Sequence, residues 1–261
     1  MRRYPCLPSS KKMCTLTLKT LTSPIFCKEC GIRLLTNENG FFCPTCWELP
    51  TRIQPPFCSV CGKPHPRTVG FGVPENYPCS ACNTRTERPP YRHIFAPTVY
   101  EGAAAEAVKI LKFHERKWVL DPMVEQIQQF VITTMDTDHY TVIAPVPLHP
   151  VRLRDRGFNQ AQLLAESLSG LFPHAPLTTA LTRIRPTRTQ SRLNDPQDRQ
   201  DNVRGAFAVD REVDFTGHRI LLIDDVVTTG GTVAECSKAL LRAGAKHVDI
   251  LAFALALGQH T

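Results

Sequence analysis

"ILLIDDVVTTGGT", residues 220–232, runs an apolar stretch straight into two adjacent carboxylates and then into small hydroxyl and glycine residues. The opening ILLID (220–224) is apolar without alternation and too short for a helix, which predicts a buried strand. Asp224 and Asp225 stand at its carboxyl end, where open parallel sheets bind their ligands. The loop VTTGGT (Val227, Thr228, Thr229, Gly230, Gly231, Thr232) exposes backbone N–H groups and opens the next helix, whose partial positive charge favours an anion. That loop suits a phosphate. Two carboxylates do not bind phosphate unaided, but they accept hydrogen bonds from sugar hydroxyls or hold a hydrated metal ion. Phosphate on one side and a diol or metal on the other describe a phosphorylated ribose.

Outward from this stretch, TVIAPVPL (141–148) is a second buried strand, NQAQLLAESLSGLF (159–172) a helix, TVAECSKALLRAGA (232–245) another helix and VDILAFAL (248–255) a last strand. Helical spacing also runs from Glu101 through Leu111 and from Val119 to Val131. Strands alternating with helices predict an α/β domain built on a parallel sheet. Cys236 falls on the apolar face of the 232–245 helix and reads as core. No GxxxxGK[ST] loop accompanies the acids, which removes a Walker-type nucleotide site. The bland alternative, a well-capped turn, has no need of both acids and both glycines.

Upstream, eight of eleven cysteines form four CxxC pairs: Cys27/Cys30, Cys43/Cys46, Cys58/Cys61 and Cys79/Cys82. Four thiolates make a tetrahedral zinc site, and two pairs across a short excursion supply them. Chain order favours Cys27/Cys30/Cys43/Cys46 and Cys58/Cys61/Cys79/Cys82, with interleaved sets and His65 as alternatives. Glycine follows Cys30 and Cys61, permitting the positive φ of a tight turn around a metal. A module this small and proline-rich lacks a sufficient core, so zinc there is structural and supplies folding free energy. Tandem pairs among prolines do not resemble the single redox CxxC at a helix start.

Composition bounds the rest. At 42% hydrophobic and 21% charged residues, 261 residues describe a globular chain, and a net charge of +7 permits a polyanionic partner without demanding one. The basic N-terminus lacks the apolar core of a secretory signal and no segment reaches membrane-span length, so a cytoplasmic protein, or one peripheral to the inner face of the membrane, is expected. In that compartment cysteines stay reduced. Residues 1–24 read as a disordered tail, with Met13 an alternative start; 25–83 as a double zinc ribbon; 84–98, rich in Pro and Arg, as a linker or an entering strand; and 99–261 as the α/β domain.

Two arginine-rich segments flank the sheet. PVPLHPVRLRDRGFNQ (145–160) carries Arg152, Arg154 and Arg156 after a strand, a second anion site able to bind a diphosphate bidentately. RIRPTRTQSRLNDPQDRQDNVRGAF (183–207) holds Arg183, Arg185, Arg188, Arg192, Arg199 and Arg204 with few apolar residues and reads as a mobile lid over a charged substrate, or as a solvated loop.

The strand, acidic pair and TTGxT loop resemble the phosphoribosyl pyrophosphate (PRPP) motif of type I phosphoribosyltransferases. By that resemblance Asp224 and Asp225 are the catalytic acids that engage the ribose hydroxyls with Mg²⁺, Val227 to Thr232 cradle the 5′-phosphate, and Arg152, Arg154, Arg156, Arg188, Arg192 and Arg204 serve the pyrophosphate and lid. Together with the four CxxC pairs, VYEG (99–102), KILKFHERK (109–117), PVPLHPVRLRDRGFNQAQLLAE and TRTQSRLNDPQDRQDNVRGAF, the chain resembles the ComF family (ComFC/GntX-type competence protein F) over residues 25–257. The family joins a double zinc ribbon to a phosphoribosyltransferase-like domain. It implies two structural Zn²⁺ sites and a role in natural transformation or DNA uptake, with single-stranded DNA and a ComFA-type helicase as partners. Two functions follow: a phosphoribosyltransferase releasing pyrophosphate, or a non-catalytic nucleic-acid adaptor with a regulatory PRPP site. For the second, Phe41, Phe42, Trp47 and Tyr77 offer faces for base stacking, unless they pack over the ribbons.

Overall fold

Described residues in this computed structural model are 25–34, 42–48, 52–66, 76–113, 119–185 and 203–258. In chain order, β1 (Ile25–Phe26) and β2 (Arg33–Leu34) pair antiparallel in the first cysteine module, followed by α1 (Pro44–Glu48). In the second, the four-residue α2 (Ser80–Asn83) carries Cys82, with Cys79 as its N-cap. Next come β3 (Ile94–Phe95), β4 (Thr98–Val99), α3 (Gly102–Phe113), α4 (Leu120–Thr134), β5 (Val142–Pro145), α5 (Pro150–Arg156) and α6 (Gln160–Leu168). A hairpin of β6 (Leu181–Arg183) and β7 (Phe207–Val209) precedes β8 (Arg219–Val227), α7 (Gly231–Arg242) and β9 (His247–Leu255).

The central sheet is parallel, ordered β5-β8-β9, with β3 and β4 both pairing with the far side of β9. Successive side chains of a strand point to opposite faces, and here both faces are buried. Leu221, Ile223, Leu251 and Phe253 face a core shared with α3, α4 and α6, while Ile220, Leu222, Val248 and Ile250 face a second core shared with α7. Each such side chain contributes about 1.5–3 kcal/mol of apolar burial, which explains why these strands read as uninterrupted apolar runs. Cys236 lies fully buried in the second core, as its helical position predicts.

The proline-rich 84–98 segment enters the sheet: β3 and β4 form its edge, interrupted at Ala96 and Pro97. Edge strands tolerate proline because the missing N–H falls on the unpaired side. The cysteine modules then cover that edge. Arg52 bridges Thr98 antiparallel, Ile53 N donates to Pro97 O at 2.7 Å, and Ile94 N donates to Val60 O at 2.9 Å. An exposed edge would template pairing with other chains, so the small modules protect the large one.

Two of the candidate stacking aromatics are consumed in this packing. Phe42 and Trp47 are buried, stacked 5.2 Å apart, with Trp47 in turn 6.3 Å from Phe253 of β9. These rings are therefore closed to bases and take the packing alternative: a cysteine module with little core of its own borrows apolar surface from the sheet. Tyr77 stays half exposed and stacks on His65, with ring centroids 4.0 Å apart; Phe41 lies outside the described residues.

Candidate functional site: the carboxyl end of the sheet

Asp224 and Asp225 occupy the last turn of the pleat in β8, 9% and 8% exposed. Asp224 Oδ1 accepts from the Asp225 amide at 2.8 Å. Burial, and then the neighbouring charge of Asp225, raise the Asp224 carboxyl well above the usual carboxylate range. Lys112, near the end of α3, places its ammonium 2.5 Å from Asp225 Oδ2. Burial works against that ammonium, but the charges of Asp225 and then Asp224 outweigh it and raise Lys112 above its ordinary value. Lys112 is the site residue the sequence reading missed. Its only signal was membership of the KILKFHERK block, because nothing local links residue 112 to residue 225.

The arginines converge from two other elements. Arg156, at the end of α5, donates to Gln160 Oε1 at 2.8 Å; burial lowers its pKa while Asp225 offsets part of that. Arg183, on β6, sits with its guanidinium carbon 5.2 Å from the Phe207 ring centroid. Burial and then Arg152 lower its pKa, with Asp224 opposing. Arg152 thus lies in electrostatic reach of both Arg156 and Arg183. Arg154 points to solvent on the exposed side of α5, and Arg204 is exposed at the root of β7, its carbonyl accepting from Arg185. Gly205 N donates to Glu235 Oε2 of α7 at 2.8 Å, tying the hairpin to the helix that follows the acids. Arg188, Arg192 and Arg199 lie outside the described residues. Three guanidinium groups and one ammonium around two carboxylates leave excess positive charge, which suits a polyanion.

The loop after the acids is shorter than expected. Val227 is still strand: its side chain is buried and its carbonyl accepts from Ala256 N at 2.8 Å. Thr228, Thr229 and Gly230 form the bend, and Gly231 and Thr232 start α7. Gly230 is the cap residue of α7 with φ 78°, a left-handed conformation that favours glycine, and it brings no side chain to cap the helix. The amide-rich helix start therefore sits directly beside Asp224 and Asp225, as phosphate recognition requires.

On the opposite flank the cysteines gather in chain order. Cys27, Cys30, Cys43 and Cys46 form one cluster and Cys58, Cys61, Cys79 and Cys82 the other, with ligand atoms within 4.8 Å of one another. Cys30 and Cys43 sulfurs lie 3.7 Å apart and Cys61 and Cys79 sulfurs 3.8 Å apart. Two sulfurs on one tetrahedral zinc, each at about 2.3 Å, would stand about 3.8 Å apart, so both clusters fit zinc. Gly31 and Gly62 take φ of 73° and 72°, the turns their positions after a cysteine foretold. Burial opposes a thiolate at Cys58, but amides of Cys61, Cys79 and Val60 overcome it and bring the thiol down to about 6; Cys27 reaches about 6 by the same balance with amides of Cys30, Cys43 and Glu29. His65 lies apart from the cluster, its Nε2 on Tyr77 O at 2.8 Å.

Comparison with known proteins agrees with this architecture. Residues 154–259 match the phosphoribosyl transferase domain family. The DNA utilization protein YhgH of Escherichia coli K12 is 31% identical over 233 residues, covering 88% of this chain and 96% of that protein. Competence protein F of Haemophilus influenzae is 28% identical over 236 residues, with the same shares covered. Competence protein ComFC of Bacillus subtilis is 25% identical over 215 residues, 82% of each chain. With a double cysteine ribbon, a phosphoribosyltransferase-type sheet and relatives of this identity over nearly their whole length, the chain belongs to the ComF family of competence and DNA utilization proteins.

Proposed function

We propose that the chain binds PRPP at the carboxyl end of its sheet and acts in the uptake or utilisation of DNA in the cytoplasm. The observation that carries the ligand assignment is the convergence of Lys112, Arg156 and Arg183 on two buried adjacent acids beside a helix start opened by a left-handed glycine. The 5′-phosphate docks on the amides of Thr228 to Thr232, and the ribose hydroxyls donate to Asp224 and Asp225. The diphosphate lies against Arg152, Arg156 and Arg183, with the hairpin above it. Asp224 and Asp225 are hard oxygen ligands of the kind Mg²⁺ takes alongside substrate phosphates, and the ion would supply charge neutralisation to the leaving diphosphate. As a transferase, the protein would break the bond from the ribose C1 to the diphosphate oxygen and let an acceptor nucleophile bond to C1. Positioning and charge stabilisation would carry the rate. Pyrophosphate release that depends on PRPP and on an acceptor tests this reading; its absence with every nucleobase and amine acceptor tried would leave binding without transfer.

The DNA role draws on the competence and DNA utilization relatives and on one surface feature. Phe26 is 48% exposed on the first cysteine module, flanked by exposed Ile32, Lys28 and Arg33. An exposed aromatic between cations is the simplest platform for a single strand. Such binding would weaken steeply as salt rises, and Phe26→Ala would weaken it further; salt-independent binding would count against it. The cysteine clusters predict two zinc equivalents per chain by metal analysis. Among the described residues no helix is long and apolar enough to cross a membrane.

A further inference from the structure

The second cysteine cluster is fastened to the sheet through the residues between its own ligands. Ile94 N donates to Val60 O at 2.9 Å, and His93 Nδ1 meets Ser59 O in a short hydrogen bond. Gly62 approaches so closely that a Cβ there would stand 2.5 Å from Ile94 O. The knuckle and β3 therefore move as one piece. Immediately before β3 the same segment carries Tyr91, whose ring packs against the core under α7. Its hydroxyl reaches the bend that follows the two acids: a Cβ built on Gly230 would lie 3.4 Å from it. Tyr91 also lies in electrostatic reach of Arg85, Cys61 and Cys82. A continuous line of contact thus runs from the sulfurs, through β3 and Tyr91, to the glycine on which the helix start turns.

We propose that Tyr91 is a positioning residue for the phosphate loop, and that the Cys58/Cys61/Cys79/Cys82 centre, through the knuckle clamped on β3, is what holds Tyr91 against Gly230. Glycine at φ 78° with no side chain has the widest backbone freedom in the loop, so a fixed neighbour is needed to hold the amides on one target. The first cysteine cluster has a different task. It packs through Trp47 and Phe42 on the opposite face of the sheet, against Phe253. The two centres are therefore not equivalent: loss of the second disturbs residues 228–234, and loss of the first does not. The loop's ligand in this inference is the PRPP of the proposed function, but the positioning itself does not depend on that assignment.

The test combines amide hydrogen exchange across residues 228–234 with calorimetric titration of PRPP and Mg²⁺, on the full chain. Tyr91→Ala, which also loses core packing, should accelerate exchange in 228–234 at least tenfold more than in β8 and β9. Tyr91→Phe, which keeps the ring and removes only the hydroxyl beside Gly230, should accelerate exchange in 228–234 by less than Tyr91→Ala does. Cys79→Ser/Cys82→Ser should reproduce the exchange change of Tyr91→Ala, and Cys43→Ser/Cys46→Ser should leave 228–234 as in the wild type. Unchanged exchange in Tyr91→Ala, or equal acceleration on loss of either cluster, would overturn the inference. Should the cysteine variants fail to fold, the two Tyr91 variants decide it. Accelerated exchange in Tyr91→Ala together with no PRPP binding by the wild type would support the positioning role and sink the phosphoribosyl reading instead.

Discussion

The two ends of the central sheet each hold a buried acid among cations, and they treat it in opposite ways. At the amino end, Asp249 is fully buried and both its oxygens are taken. Oδ1 accepts from Arg92 Nε at 3.3 Å and His93 N at 3.2 Å, and Oδ2 accepts from Arg92 Nη2 at 2.8 Å and Tyr140 Oη at 3.1 Å. His139 and His247 stand beside it, Nε2 to Nε2 at 2.8 Å, and the three side chains are close enough to suggest a metal site. Arg92 Nη2, however, lies 3.0 Å from His139 Nε2, a cation where another cation would have to enter. At the carboxyl end, by contrast, Asp224 leans on a single neighbouring amide and has its carboxyl raised by burial, while Asp225 meets Lys112. A saturated acid is an internal strut. An acid whose charge is costly until something arrives is a receptor.

Substitutions should therefore separate the ends. Asp249→Ala has the largest expected effect on stability: it strands the Tyr140 hydroxyl and the His93 amide and takes the acid from a guanidinium that is 40% exposed, costing about 2–4 kcal/mol, or roughly 10 °C in thermal midpoint, with PRPP affinity unchanged in the folded fraction. Lys112→Met comes next, at about 1–2 kcal/mol by denaturant titration. The loss is below that of a fully buried pair because a quarter of the lysine side chain is exposed. Asp224→Asn is the sharpest contrast with Asp249: removing a charge whose burial is unfavourable should leave stability within about 0.5 kcal/mol of wild type, or slightly raise it, while ligand binding is lost. A loss of several kcal/mol in Asp224→Asn would make the two acids alike and erase the distinction.

The smallest effect is a pH slope from the amino end. Burial, and then the charge of Arg92, lower His247 from 6.5 to about 4, and His139 shifts the same way. A base that refuses its proton when folded gives stability that is complete above pH 6.5 and lost as pH falls from 6.5 through 4. Thermal midpoints measured between pH 7 and 4 should decline, and His247→Gln should flatten that decline.

Why some of this was readable in the sequence and some was not follows from the range of the interactions involved. Strands buried on both faces announce themselves as apolar runs, so β5, β8 and β9 were legible, although β8 continues through Asp224 and Asp225 to Val227, beyond the 220–224 expected. Cysteine spacing favoured both chain-order clusters because ligation needs four thiolates from a short stretch, and the fold chose them over the interleaved sets. Lys112 was hidden because an amphipathic helix accounts for it locally, and only the tertiary fold brings it to Asp225. Phe42 and Trp47 stood open between stacking and packing because an aromatic among cysteines has one sequence pattern and two fates, and the choice was made by Phe253, some two hundred residues away. Pro97 left the 84–98 segment open between a linker and an entering strand, since it breaks the pairing into two-residue pieces.

Calorimetric titration of PRPP with Mg²⁺ into the wild type and into Asp224→Asn/Asp225→Asn reaches the central claim most directly. Saturable one-site binding to the wild type, weakened at least a hundredfold in a double variant that remains folded, is the predicted result. No heat with the wild type, or equal affinity in both proteins, would contradict the assignment of the β8 terminus as the phosphoribosyl site.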